Sequence, residues 1–450
     1  MITTSSEESL IDVQGSSGSQ PEGSNSDLVR LDNENLDDIV IDYLIDSEPT
    51  SAILSFCQRK FLLPYVYILS LVGLRPITID TSDLVAYLGH IQTVFVVVIL
   101  TTGYFIQYFS YFRRDRGFTN TTYPPIEPPL QFSSPKQVTA YYGETIFVYG
   151  VSSILHFCGF LASTYVFRIA DNEQLQNLVE RVFILHNFPN KLIYMLWSHI
   201  ACGILWLTLM TSHLIVMETD NIDVMKIIWL GEPTANTQTI AKILLVVTTF
   251  AQDLLQVIVL TSYSIQCYLL RRYISILQAK LLQNTIDSLD WMREMSEFRK
   301  LLSHLNTKVA MPVCLFTILN LSYTFSSIVY FIKIYNQFTN NKIVIMAVIN
   351  ILLWLILGLY PFFQAAALTY ACESAQTCGH QVRIKPYVHY NTSLEELNSI
   401  LLYASSLRMS AKLYRMPIHG SYVFFIILCI VVSTLTFGMC LNISLGIVQP

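Results

Sequence analysis

Seven stretches of the chain run for about twenty residues or more with almost no charge, at approximately 88–109, 143–166, 192–216, 242–268, 310–334, 343–368 and 420–446. Each has the length an α-helix needs to cross a hydrocarbon core. The pattern therefore predicts an all-α membrane protein with seven transmembrane helices. An eighth apolar run, Phe61 to Leu74, follows Arg59 and Lys60, contains Pro64 and is too short to span, which reads as an interfacial or re-entrant segment. Two segments between spans carry a different pattern. From Arg271 to Lys308, Ile274, Leu277, Leu281, Trp291, Met295, Phe298, Leu302 and Leu305 keep a three-and-four spacing, with Arg293, Glu294, Glu297 and Lys300 between them. The register turns polar at Asn284 and Ser288, which predicts a bend or break there. The second segment opens with the capping-box pair Ser393 and Glu396 and continues with Leu397, Ile400, Leu401, Ala404 and Leu407 on one face. Both stripes lie outside the predicted spans and need a partner, in this chain or in a neighbouring subunit.

Composition agrees with a chain built for lipid: 53% hydrophobic and 13% charged, about half the charge usual in a soluble domain. The first fifty residues differ, with twelve acidic residues against the single Arg30. They are expected to form a disordered acidic cytoplasmic tail, 1–50, with no secretory signal. The net charge of −5 comes from that tail. Sidedness follows from the basic residues: with the amino terminus in the cytoplasm, 19 of the 27 Lys and Arg fall in inner segments and 8 in outer ones. Arg113, Arg114 and Arg116 in the first outer loop run against that bias, while the sequon at Asn120 in the same loop supports it as a glycosylation site. A plasma-membrane protein with its amino terminus inside and its carboxyl terminus outside is the resulting expectation. The nine cysteines sit in spans or inner segments, where no structural disulfide is expected.

Candidate chemistry is sparse. Asp253 is the one acid near the middle of a predicted span, beside Gln252. A carboxylate there usually faces a bundle interior or a water-filled cavity, although a protonated or locally hydrogen-bonded structural Asp is the alternative. Tyr149, His156, Trp206, His213, Tyr323, Tyr330, Asn350 and Trp354 lie at comparable depth on other spans, and aromatics with a few polar groups are what a small-molecule pocket requires. Singly, each is ordinary packing; convergence would make them a site. Cys372, Cys378 and His380 match no zinc spacing and lack a fourth ligand, so no metal is expected. No phosphate loop, zinc-protease helix or nucleophile elbow is present, so the chain is not expected to be an enzyme, to carry a cofactor or to bind nucleic acid. The last span has no charged residue, and its far part reads Ser433-Thr434-Leu435-Thr436-Phe437-Gly438-Met439-Cys440-Leu441-Asn442. Small and hydroxyl residues of this kind suit a narrow pore or close helix packing equally.

The order of these features resembles the insect gustatory and odorant receptor superfamily. The likeness rests on the polar cytoplasmic tail, Leu71-Val72-Gly73-Leu74-Arg75-Pro76 before the first span, the long helical loop after the fourth span and another before the last. It covers about residues 55 to 446. The family's Thr-Tyr pair, five residues, then Gln-Phe is degenerate here, with Thr436-Phe437 followed by Ile443-Ser444, so the resemblance is to divergent gustatory receptors or gustatory-receptor-like members. The resemblance implies a seven-transmembrane channel domain over 51–446 whose helical extensions, 269–309 and 371–419, form a cytoplasmic anchor. It further implies a homo- or hetero-tetramer with related receptors, gated by a tastant or other chemical ligand and conducting cations. The ligand would sit in a pocket formed by Asp253, Gln252 and the aromatics above, and the pore would be lined by Thr434, Phe437, Gly438 and Leu441. A G-protein-coupled receptor, with the amino terminus outside, and a proton-coupled transporter using Asp253 are the alternative readings.

Overall fold

The computed structural model describes residues 49–75, 83–110, 112–115, 117–118, 146–170, 174–186, 189–219, 235–334, 341–384 and 392–447. The expected tail, 1–50, lies almost wholly outside these residues, as does Asn120. In chain order the elements are α1 (Pro49–Cys57), a π-helical turn (Gln58–Leu62), α2 (Leu63–Leu71), α3 (Asp83–Phe109), strands β1 (Phe112–Arg113) and β2 (Gly117–Phe118), and a π-helical turn (Ile146–Val151) leading into α4 (Ser152–Tyr165). There follow α5 (Gln174–Leu185), α6 (Pro189–Thr219), α7 (Ala235–Leu282), α8 (Ser288–His304), α9 (Ala310–Ile334), α10 (Asn341–Ile384), α11 (Leu394–Ser406), the two-residue strands β3 (Lys412–Leu413) and β4 (Met416–Pro417), and α12 (Gly420–Ile447). The fold is an all-α membrane architecture. Six described helical stretches, on α3, α4, α6, α7, α8–α9 and α10, are long and apolar enough to cross a membrane. The seventh expected span is α12, whose apolar stretch is described over Gly420–Ser433.

Lipid-facing and buried surfaces divide along each helix. Phe95, Val98 and Phe105 of α3, Leu205 and Leu209 of α6, and Leu352 and Ile356 of α10 are exposed apolar side chains with no work to do in water. In a bilayer they are ordinary, because the tails are as apolar as they are. The helix α7 is the most buried of the spanning helices and contacts α3, α6, α9 and α10. Its buried face is polar in part: Thr249, Gln252, Asp253 and Gln256 fall on one stripe, all buried. Gln256 on α7 hydrogen-bonds Asn320 on α9, both fully buried. Without a hydrophobic force between helices in lipid, such pairs and close backbone approach fix the packing. Gly103 of α3 shows the second device, since a Cβ there would lie 2.8 Å from Gln252 Nε2 and 3.0 Å from Thr248 Cβ.

The long helices extend well past a membrane. At 48 residues, α7 is about 72 Å long at 1.5 Å per residue, more than twice a hydrocarbon core of about 30 Å. Its far end and α8 carry the first stripe predicted from the sequence. Ile274, Leu277, Leu281, Trp291, Met295, Phe298, Leu302 and Leu305 are all buried. The expected break falls at Asn284, whose φ is 53°, and α8 restarts at the N-cap Asp287, which accepts a hydrogen bond from the backbone N–H of Leu289. The second stripe forms α11, with Ser393 accepting from the N–H of Glu396 and Ile400 and Ala404 buried against α10. Trp291 meets the ring of Tyr403 edge-on at 5.7 Å between centroids. Of the two partners open to these stripes, the chain itself supplies one: α8 packs on α7, α11 on α10, and α8 on α11.

The short apolar run before the first span forms a continuous helical segment from Pro49 to Leu71. One face, Phe61, Tyr65 and Leu69, is buried, and the Tyr65 hydroxyl donates to Ser262 Oγ on α7 at 2.6 Å. The other face exposes Leu63, Tyr67 and Leu71. The described part of the motif, Leu71 to Arg75, is a helix stop. Gly73 N–H donates to Ser70 O and Leu74 N–H to Leu69 O, with Gly73 at φ 73°, the bonding of a Schellman cap. A Cβ at Gly73 would also meet Thr93 Cα at 3.2 Å.

Candidate functional site

The predicted pocket residues come from five different helices, α4, α6, α7, α9 and α10, and from the turn before α4, and what joins several of them is a residue from none. Strands β1 and β2 pair in antiparallel register, Phe112 with Phe118 and Arg113 with Gly117, and the turn between them points Arg114 and Asp115 into the bundle. Arg114 forms an ion pair with Asp253 on α7, and both side chains are about 95% buried. Its guanidinium lies 5.8 Å from the ring centre of Tyr323 on α9 and 5.2 Å from that of Trp354 on α10, within the range of a cation–π contact. Trp354 in turn packs against Tyr323 at 4.9 Å and against Trp206 of α6 at 5.7 Å. The Trp206 indole donates to Leu353 O at 2.8 Å.

Asp115 anchors the hairpin. Its carboxylate accepts two bonds from Arg113, at 3.1 and 2.9 Å, and one from Ser326 Oγ at 2.5 Å. Its backbone carbonyl accepts from Ser327 Oγ at 2.6 Å and from Asn350 Nδ2 at 2.9 Å. Two arginines that broke the expected charge rule are thus neutralised by carboxylates inside the fold. A buried charge is tolerated when paired and hydrogen-bonded.

Beside this pair lies a second network. The His156 Nε2 on α4 meets the Gln252 backbone carbonyl at 3.3 Å, and its Nδ1 meets the Tyr104 hydroxyl of α3 at 2.6 Å. The carbonyl can only accept, so Nε2 carries the proton; in the neutral ring Nδ1 then accepts from Tyr104. Gln107 of α3 donates to Gln252 Oε1 at 2.8 Å and Thr249 Oγ1 at 3.3 Å. Tyr149 stands edge-on to Tyr108 at 5.8 Å, Tyr330 is half-buried on α9, and His213 binds Met346 O at 3.1 Å.

Of the expected residues, Asp253, Tyr323, Trp354, Trp206 and Asn350 therefore converge, and His156 and Gln252 form the adjoining network. Arg114, Asp115, Tyr104 and Gln107 were not foreseen. The signal that identifies Arg114 is the pair of anomalies read separately in the sequence: basic residues on the wrong side and one acid in a span. The space between the helices is small. A cavity of about 20 Å³ remains, lined by Phe112, Arg114, Met210, His213, Leu214, Thr249, Asp253 and Asn350, which is the room of one water molecule. Arg114 fills the rest. An apolar groove of about 240 Å³ between α9 and α12 includes Leu321, Phe325, Phe425 and Ile430 but no charged residue. Thr434, Phe437, Gly438 and Leu441 fall on α12, and their side chains lie outside the described ones.

No family model and no curated protein sequence matches the chain. Among solved structures it is similar to the insect olfactory receptor OR5 from Machilis hrabei in complex with eugenol, with a TM-score of 0.53 and 9% identity over 86% of this chain and 98% of that one. At that identity the likeness is one of fold.

Proposed function

We propose that the chain is a subunit of a chemosensory receptor channel, in which a small organic ligand bound at the Arg114–Asp253 site opens a cation pore lined by α12. The observation that carries this reading is the extent of the shared fold: nearly the whole of an olfactory receptor, 98% of its length, is matched, with 86% of this chain. That receptor was determined with eugenol, a small aromatic molecule, and here Tyr323 and Trp354 face the guanidinium of one buried ion pair while Thr249 and Asn350 line the small cavity beside it. The gustatory type, the tetramer, the plasma membrane and the cytoplasmic amino terminus belong to the same proposal. Ligand binding favours the open state only by fitting it better than the closed one. A site already filled by Arg114 supplies that difference, because rearranging it is part of accepting a ligand.

The experiment is expression in a cell line and recording under a panel of small organics that includes eugenol. Ligand-evoked cation current that persists when G-protein signalling is blocked is the expected result. Current lost on that block favours the G-protein-coupled alternative, and surface-expressed protein silent across the panel defeats the reading. Asp253→Asn is expected to shift the dose response, with current compared at matched surface level because Arg114 loses its buried counter-charge.

A further inference from the structure

We infer that the Arg114 site is a receptor site for organic cations of the amidinium or guanidinium class, held shut by the chain's own guanidinium. The inference rests on the reading above in taking this site as the ligand's, and extends it to the ligand's charge. Three features around Arg114 are ones that a planar cation requires. Asp253 supplies the counter-charge, and Tyr323 and Trp354 present ring faces at 5.8 and 5.2 Å. Asn350, 5% exposed and lining the cavity, has an Oδ1 without a hydrogen-bond donor among the described residues. It is a spare acceptor beside the ion pair.

Which partner yields is decided by what carries it. Asp253 sits inside a 48-residue helix packed on six others, with Thr249, Gln252 and Gln256 on the same buried face. Arg114 sits at the turn of a hairpin whose strands are two residues each. Asp115, not Arg114, holds that hairpin to Ser326, Ser327 and Asn350. The Arg114 side chain can therefore leave while the hairpin stays. An incoming anion, by contrast, would have to displace Asp253 from a continuous helix or share the guanidinium with it. An incoming neutral molecule would find about 20 Å³ and a charge pair to break.

In this arrangement Arg114 is a tethered competitor. A free cation sees only the fraction of molecules in which Arg114 has swung out, so its apparent affinity falls by that fraction. Removing the side chain removes the competition and leaves Asp253 in want of a cation.

The test uses the purified full-length protein in detergent, with benzamidinium, benzoate and benzyl alcohol as cationic, anionic and neutral probes of one shape. Arg114→Ala is expected to melt below wild type, and benzamidinium to raise its melting temperature at concentrations at least about tenfold lower than wild type needs. Benzoate and benzyl alcohol are expected to do neither, and Arg114→Ala/Asp253→Asn to lose the benzamidinium response. Equal benzamidinium response in wild type and Arg114→Ala, or a response to benzoate or benzyl alcohol that matches it, overturns the proposal. If Arg114→Ala is not recovered folded, millimolar guanidinium during expression is the second measurement. Recovery of folded protein by guanidinium supports the site, and no recovery overturns it. Because the readout is binding, silence in current recordings would leave this result standing, while current evoked only by neutral or acidic ligands without benzamidinium binding would remove this inference alone.

Discussion

Asp115 is the residue on which the hairpin depends. Its carboxylate and Arg113 are both nearly buried, at 5% and 10% side-chain exposure, and the same residue reaches α9 and α10 through Ser326, Ser327 and Asn350. Asp115→Ala leaves the Arg113 guanidinium buried without its bidentate partner, a change that costs about 3–5 kcal/mol when one member of a buried pair is removed. The expected outcome is a lower melting temperature for Asp115→Ala, with Arg113→Ala/Asp115→Ala recovering part of the loss, since the double variant strands no charge. A double variant that melts no higher than the single would show that the ion pair is not what holds the turn. At this scale the sequence was legible by type and not by pairing. It marks Asp253 because a lone carboxylate in a span is costly, yet nothing in local spacing ties position 253 to position 114. The spacing Thr249, Gln252, Asp253, Gln256 does place a polar stripe on one face of α7, and that stripe turned out to be buried.

Among the elements, α8 and α11 were the best specified by sequence. Their three-and-four spacing, the break near Asn284 and the Ser393 cap are local properties, and each appears where the pattern puts it. Where such a stripe would otherwise meet water, burial is worth roughly 1.5–3 kcal/mol for each large apolar side chain. Trp291 is 0% exposed, stacks edge-on with Tyr403 and lies at the junction of α7, α8 and α11. Trp291→Ala is expected to cost about 3–5 kcal/mol and to free α8 locally, seen as faster proteolysis within 285–305 before the spanning helices are cut. The partner of each stripe was not legible, because a stripe states only that burial is required. The chain met the requirement from α7 and α10.

For the whole molecule, spans and sidedness rest on different physics. Spans follow from the price of exposing a backbone to lipid, which only helices of sufficient length avoid here. Sidedness follows from where Lys and Arg accumulate, and Arg113 and Arg114 lose their weight in that count once each is paired inside the bundle. An epitope at residue 5 is expected to bind antibody only after permeabilisation, and Asn120→Gln to remove an enzymatically cleavable glycan; labelling of intact cells would reverse the orientation. The purified protein is expected to run as a tetramer in detergent, and a monomer would defeat a pore shared between copies. By itself the sequence determined the helical membrane class, the positions of six apolar helices long enough to span, the register of α8 and α11 and the single acid worth attention, because hydropathy, periodicity and capping act over neighbours within a few turns. Only the tertiary structure decided that a short hairpin after α3 turns back into the bundle, that Arg114 is the partner of Asp253, and that the space among Tyr323, Trp354 and Asn350 is already taken. Ion pairing acts through space between residues 139 positions apart, and no local pattern records which charge will reach which.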